Sequence, residues 1–381
     1  MKSPKPLTSK SPVKLIFTGG FLGSGKTTAL AALARDLIGQ GKRVGIITND
    51  QSENLADTII VKHLLDELGV PVEEVVAGCF CCKFDELIDQ MEKILVHNPD
   101  VLMGDPVGSC TDFVAAVANP IKIHYRDAFR FAPFSTMVDP VRVEEFLMDD
   151  NQTTFPEEVS YLFRKQLEEA DLIVLNKIDQ LSDQERERLV GVLQKNYPKK
   201  QVMTVSAKCG NGMAEWLDML LSGSPGADTV LHQIDYDRYA RAEAVLGWLN
   251  AAVKISAERP FDSAECLRAL AVGMRDSFRE IDAGIGHMKF VMTSAGKSMW
   301  INLTHLAHEP VLSDEQLGDI HGGSLIVNAR VRIDPEALEA IVRNAIEETS
   351  ALQHFQWEIM DLQCFSPAYP NPPYLVREEG L

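Results

Sequence analysis

Residues 13–37 leave few options for how this chain folds. An apolar run at 13–18 ends in glycine and leads into Gly20-Phe21-Leu22-Gly23-Ser24-Gly25-Lys26-Thr27, and an alanine- and leucine-rich stretch follows at 27–37. The first run reads as a buried strand and the last as a helix. A strand, a glycine-rich loop and a helix in that order form a phosphate cradle. The glycines let backbone N–H groups turn inward, and the helix N-terminus adds its positive dipole end. Lys26 is then placed for β- and γ-phosphates and Thr27 for Mg2+, with Gly23, Ser24, Gly25 and Thr28 completing the cradle.

The same rhythm continues downstream. Apolar runs at 44–48, 72–76, 101–103, 136–138, 172–175 and 202–205 read as strands, and 84–96 shows helical spacing through Phe84, Leu87, Ile88, Met91, Ile94 and Leu95. Alternation of strand and helix over roughly 200 residues predicts an α/β P-loop NTPase fold, its sheet mostly parallel and covered by helices on both faces. Ser222-Gly223-Ser224-Pro225-Gly226-Ala227 breaks the rhythm. Beyond it, aromatic strand candidates at 247–249, 289–292, 299–301 and 325–327, with helices at 264–279 and 335–350, predict a smaller C-terminal α+β domain with an antiparallel sheet. The expected division is a disordered lead at 1–12, a P-loop domain at 13–221, a linker at 222–232 and the α+β domain at 233–381, whose tail at 367–373 is proline-rich and irregular.

Two further strand ends bear on the nucleotide. The run at 101–103 delivers Asp105, with Gly108 three residues on. A carboxylate there can hold the Mg2+ shell and the glycine N–H can sense a γ-phosphate. Directly after 172–175 stands Asn176-Lys177-Ile178-Asp179. The Asp179 carboxylate can accept from both the ring N–H and the exocyclic amine of guanine, a donor pair that adenine lacks. Ser206-Ala207-Lys208 follows the next strand, where its backbone N–H groups can meet the guanine carbonyl. Together these select GTP and GDP over adenine nucleotides. Asp50, after the second strand, is the candidate for orienting the attacking water; with Lys26 and Asp105 it completes the expected catalytic set.

Cysteine supplies the other signal. The chain has 7, and Gly78-Cys79-Phe80-Cys81-Cys82 places three of them within four positions. That is not a disulfide framework, and it fits a reducing cytoplasm. Thiolates bind borderline metals, Zn2+ foremost, with Co2+ another candidate. Adjacent Cys81 and Cys82 point apart in a strand, so Cys79, Cys81 and Cys82 share one ion only if the chain turns. Candidates for a fourth ligand are Cys110, Asp50, Glu53, Asp57 or water. Cys110 lies two residues after Gly108, which would put the metal in touch with the nucleotide. His305 and His308, at i and i+3, read as ordinary surface histidines, and Cys209, Cys266 and Cys364 as structural. Asp139, after the strand at 136–138, reads equally as a turn cap.

The formal net charge of -18 argues against nucleic acid as the main ligand. No apolar run approaches the roughly 20 residues that span a bilayer, and the stretch 1–14 has lysines without an apolar core, unlike a signal peptide.

With the P-loop, the cysteine run and Asn176–Asp179 in this order, the chain resembles the CobW family of P-loop GTPases, relatives of the nickel-insertion GTPases for urease and hydrogenase. The resemblance covers most of residues 13–220. It implies GTP hydrolysis with Mg2+, a metal at the Cys-x-Cys-Cys site, delivery of metal or cofactor to a client protein, and a nucleotide-dependent homodimer. Two departures stand out: Asn49-Asp50-Gln51-Ser52-Glu53-Asn54 replaces the family's Asn-Glu-Phe-Gly-Glu type of run, and the Mg2+ strand ends in Asp105 rather than Glu. The expected function is a GTP-dependent metallochaperone. The alternative is a GTPase that gates insertion of a metal-containing cofactor, such as a corrinoid, into a client enzyme, with the cysteine metal structural. No arginine finger is evident in the sequence, so intrinsic turnover is expected to be slow.

Overall fold

The structure, a computed structural model, describes residues 7, 11–50, 56–148, 153–223 and 233–377. The expected lead at 1–12 and linker at 222–232 fall almost entirely outside them. Among the described residues the first sheet contains β1 (Val13–Gly19), β2 (Val44–Asn49), β3 (Val72–Val75), β4 (Val101–Asp105), β5 (Phe129–Phe131), β6 (Ser135–Val138), β7 (Leu172–Leu175) and β8 (Gln201–Thr204). They run in the order β3-β2-β4-β1-β6-β7-β8, with β5 alongside β1, and every pairing is parallel. β2, β4, β6 and β7 are buried along their whole length because helices cover both faces, which is why they read as unbroken apolar runs. β3 is an edge strand, Val-Glu-Glu-Val, with only Val75 fully buried.

The second sheet is antiparallel throughout. It contains β9 (Gly247–Asp262), β10 (Ile285–Ser294), β11 (Lys297–Leu303), β12 (Val311–Leu312), β13 (Asp319–Val331) and β14 (Gln356–Phe365), in the order β12-β11-β10-β13-β9-β14. One face packs Val253, Met288, Phe290, Val327 and Ala329 against the helices Ser263–Glu280 and Pro335–Gln353. Because side chains alternate along a strand, the opposite face presents the intervening residues. Val291 and Ile326 there pack on Ala56 and Ile60 of the helix Ala56–Leu65, which belongs to the first domain. One rung further along the same face stand Lys289 and Asn328, then His287 and Arg330. This polar strip decides where the second sheet meets the first domain.

A second junction is made by Arg142, on the helix Pro140–Leu147. Its side chain is 2% exposed and pairs with Glu145, while Nη2 donates to the Ile285, Gly286 and Thr304 carbonyls at the edges of β10 and β11. After β14 the chain has no regular structure over 366–377, in keeping with its prolines, and runs back to the first domain. There Tyr374 packs on Phe84 with ring centroids 4.8 Å apart, Val376 N–H donates to the Ala115 carbonyl at 2.9 Å, and Arg377 pairs with Asp112. No helix among the described residues is long and apolar enough to cross a membrane.

Candidate functional site

A cleft of about 370 Å³ lies between the P-loop edge of the first sheet and the polar strip of the second. Its first-domain wall begins at the loop after β1. Gly25 has φ +93, and a Cβ there would lie 2.3 Å from Asn176 Nδ2. Only glycine lets the loop pass so close to the Asn176 side chain. That side chain ties the site together: Nδ2 donates to the Ser24 carbonyl at 2.9 Å, and Oδ1 accepts from Ala207 N–H at 3.0 Å. The P-loop and the Ser206-Ala207-Lys208 turn are thus held by one amide. Asp179 accepts from the Ser206 hydroxyl at 2.6 Å and remains exposed at the cleft, as do Thr28 and Lys208. Lys177 takes a left-handed conformation at φ 60 and pairs with Asp139, which also caps the helix Pro140–Leu147 by accepting from Val141 N–H.

The phosphate end is a knot of charges. Lys26, buried, folds back to donate to the Gly20 carbonyl at 2.8 Å. Burial lowers its pKa, and Asp105 partly restores it. Thr27 Oγ1 lies 2.7 Å from Asp57 Oδ1 and 2.8 Å from Asp105 Oδ2. Burial pushes Asp105 up to about 6 against the pull of Lys26. Burial would also raise Asp57, but Lys289 overrides it and holds that carboxyl far below the usual range. A hydroxyl flanked by two carboxylates is a donor set suited to a hard divalent cation, so the residues present fit Mg2+. Asp50 lines the same cleft. Its Oδ1 accepts from Arg330 Nη2 at 2.7 Å and its Oδ2 from Asn328 Nδ2 at 3.1 Å.

Asn49, the residue before Asp50, organises the cysteine loop. Its Nδ2 donates to the Val75 and Gly78 carbonyls at 2.9 and 2.7 Å, and its Oδ1 accepts from Phe80 N–H at 2.8 Å. The chain then turns tightly, with Cys82 and Lys83 N–H both bonded to the Cys79 carbonyl. This turn brings Cys79 and Cys81 together with Cys110, from the loop after β4; all three sulfurs lie within 4.8 Å of one another, and Cys81 and Cys110 are 2.8 Å apart. Zn–S bonds of about 2.3 Å set tetrahedral sulfurs roughly 3.8 Å apart, so the trio fits a zinc ion with small adjustments.

Hydrogen bonds from Cys79 and Cys81 lower the Cys110 thiol to about 7, while bonding to Cys110 and Cys79 drives Cys81 well up. Burial, which lowers the Lys26 pKa, is countered by Asp105 and Asp57 and least of all by Cys110. Buried Tyr239, on the helix Tyr236–Ala244, packs into the same apolar core as the three cysteines.

Cys82 is not part of this set. The tight turn that brings Cys79 and Cys81 together leaves it half-buried, and its thiol, bonded to Cys79, is pushed up. Asp50 and Asp57 face the nucleotide cleft rather than the sulfurs, and Glu53 lies outside the described residues. Among the described residues no fourth His, Cys, Asp or Glu joins the three sulfurs. The His305 and His308 rings lie 5.4 Å apart with their planes tilted by 59°, without forming such a group. Sequence reasoning missed Lys289, Arg330 and Asn328, and left His287, like His321, ambiguous between a ligand and an ordinary histidine. The available signal was a polar or charged residue at every second position inside otherwise apolar strands, His287-Met288-Lys289 and Asn328-Ala329-Arg330.

Residues 14–204, half of the chain, match the family described as "CobW/HypB/UreG, nucleotide-binding domain". The chain is 31% identical over 184 residues to "Zinc chaperone CobW" of Sinorhizobium sp, covering 42% of this chain and 49% of that protein. It is 26% identical over 220 residues to "Zinc-regulated GTPase metalloprotein activator 1" of Dictyostelium discoideum, covering 51% and 45%. The chain thus spans about half the length of the curated relatives it matches. Among solved structures, that of Zn(II)-bound YjiA GTPase from E. coli aligns at 15% identity and a TM-score of 0.35, over 88% of this chain and 99% of that one. By its P-loop sheet and the match across residues 14–204, this chain belongs to the CobW/HypB/UreG family.

Proposed function

We propose that this protein is a cytoplasmic, GTP-hydrolysing metallochaperone that binds Zn2+ through Cys79, Cys81 and Cys110 and passes it to a client protein. One observation carries the reading. Cys110 belongs to the loop that follows Asp105 and Gly108, yet its sulfur meets the Cys79–Cys81 turn. A single loop therefore borders both the triphosphate and the metal. The names of the relatives, a zinc chaperone and a zinc-regulated GTPase, support zinc as the cargo.

In this reading Gly23, Ser24, Gly25, Lys26, Thr27 and Thr28 hold the phosphates, and Gly108 senses the γ-phosphate. Asn176 fixes the base-side loops, Asp179 and the 206–208 turn read guanine, and Thr27, Asp57 and Asp105 hold Mg2+. Bound Mg2+ supplies neutralisation of phosphate charge. Lys26 leaves the Gly20 carbonyl for the phosphates. Asp50, on the wall of the same cleft, orients the attacking water.

Replacing Asp179 tests the guanine assignment. Two charge-assisted hydrogen bonds, each about 1.5–3 kcal/mol, are lost in Asp179→Ala, so GTP affinity is expected to fall roughly 10²-fold or more. In Asp179→Asn the new amide can donate to the 2-oxo group of xanthine, so xanthosine triphosphate is expected to bind better than GTP in a competition titration. Unchanged GTP affinity in both variants would remove Asp179 from the base site. Zinc release is tested by counting bound metal after gel filtration with GDP and with a non-hydrolysable GTP analogue. Fewer zinc ions in one nucleotide state support delivery. Equal zinc in both states favours the alternative, a structural metal in a GTPase that gates cofactor insertion, which the burial of all three thiols would also suit.

A further inference from the structure

Two cations reach the nucleotide cleft from the second sheet, and they are held differently. Arg330 is fixed: Nη1 donates to the Leu249 and Ala329 carbonyls at 2.9 Å, Nη2 binds Asp50, and the guanidinium lies 4.1 Å from the Trp248 ring centroid. Lys289 instead pairs, among the described residues, with Asp57. Asp57 is already shared, since it takes the Thr27 hydroxyl as well.

We propose that Lys289 is a cis-acting phosphate ligand that leaves Asp57 for the terminal phosphate of the bound nucleoside triphosphate, so that the second sheet distinguishes a triphosphate from a diphosphate. The inference rests on the GTPase reading above and adds to Lys26 a second phosphate cation, supplied by the other sheet.

Three observations lead to it. First, Lys289 lines the cleft with Lys26 and disfavours the charge on the Lys26 ammonium. Asp105 and Asp57 now offset that repulsion, and a triphosphate would bring further negative charge to the two ammoniums. Second, polar atoms on the same strip of the second sheet are buried and unpartnered among the described residues: His287 Nδ1, Asn302 Oδ1 and Arg330 Nε. All three residues line the cleft. Only Arg330 Nε is a donor here, since His287 Nε2 donates to Asn328 Oδ1 and leaves Nδ1 an acceptor; a buried donor without a partner is costly, and a phosphate oxygen can satisfy it. Third, Val291 follows Lys289 on the same face of β10 and packs with Ile326 on Ala56 and Ile60. Asp57 belongs to that same helix, Ala56–Leu65, so release of Lys289 removes one of its ties to the second sheet and leaves the apolar contact in place.

The chemistry is that of phosphoryl transfer to water. A water oxygen bonds to the γ-phosphorus while the bond from that phosphorus to the β–γ bridging oxygen breaks, giving GDP, inorganic phosphate and a proton. Lys289 changes no covalent bond. It offsets negative charge on the γ-phosphoryl oxygens, the part that a cation supplied in cis plays in this reaction class.

The test compares nucleotide affinities by fluorescence titration with Mg2+ present, using GDP and a non-hydrolysable GTP analogue, beside single-turnover GTP hydrolysis. Lys289→Ala is expected to weaken the analogue 10- to 100-fold and leave GDP within about twofold, with hydrolysis slowed at least as much as analogue binding is weakened. Lys289→Arg is expected to keep the analogue within about fivefold of wild type. Lys289→Gln keeps a donor on Asp57 while removing the charge, and it carries the test should the alanine variant fail to fold. Equal losses for both nucleotides, or none for either, would overturn the proposal and leave Lys289 a structural partner of Asp57. Wild-type protein that binds neither nucleotide would overturn the GTPase reading, and this proposal with it.

Discussion

Arg330→Met is expected to destabilise the protein by about 3–5 kcal/mol, because it takes the guanidinium charge away from the buried Asp50 carboxylate. The Arg330 side chain is 1% exposed, and its 2.7 Å bond to Asp50 spans the boundary between the two sheets. It also satisfies the Leu249 and Ala329 carbonyls, which methionine cannot do. Asn328 still donates to Asp50 in the variant, but an amide does not neutralise a buried charge. Thermal unfolding is expected to begin about 10 °C lower. Because the penalty comes from the uncompensated charge, Arg330→Met combined with Asp50→Asn should recover most of the loss. That non-additivity is the signature of a direct pair. If Arg330→Met alone costs under about 1 kcal/mol, the pair does not hold the sheets together, since even modest single-site losses exceed that.

Cys110→Ser is expected to weaken Zn2+ binding roughly 10³-fold. Zinc held by four ligands gains about 10–16 kcal/mol, so one thiolate accounts for roughly a quarter of it, and a serine hydroxyl is a poor substitute at neutral pH. Cys79→Ser and Cys81→Ser should match it, because the three sulfurs form one group. Cys82→Ser should change affinity less than tenfold, since its sulfur lies outside that group. Competition with a chromophoric chelator reads all four variants on one scale. A Cys82 effect as large as that of Cys110 would mean that the 79–83 turn rearranges around the metal. An unaffected Cys110 variant would separate the metal from the nucleotide loop and remove the coupling on which the proposed function rests.

The first domain was legible because its signals are local. β1, the glycine loop and the helix Lys26–Gly39 are consecutive, and each strand buried on both faces announces itself as an apolar run. The second domain was legible only in part. β9 runs over Gly247–Asp262, far beyond the expected 247–249, because its later half is polar and exposed. β14, Gln-Trp-Glu-Ile-Met-Asp-Leu-Gln-Cys-Phe, is an edge strand whose half-exposed side chains give no apolar run. The three residues of β5 are too few for any periodicity. The helical segment at 113–124 opens with a wide π-turn over Val114–Ala118, which blurs the 3.6-residue repeat.

The sequence by itself determined the α/β P-loop fold, the positions of Lys26, Thr27, Asp105, Asn176 and Asp179, and the presence of a thiol-rich loop. Each follows from residue types at fixed short spacings, whose chemistry and backbone requirements are local. Only the tertiary structure shows which of the four candidate cysteines lie together, with Cys110 beside Cys79 and Cys81 and Cys82 outside their group, because a turn at 79–83 and a loop some 30 residues away must be brought together in space. Only it showed that the nucleotide cleft has a second wall. Asp50 and Asp57 meet Arg330 and Lys289 across about 280 and 232 positions of chain, a pairing that burial enforces, since a charge enclosed between two sheets must find its opposite there.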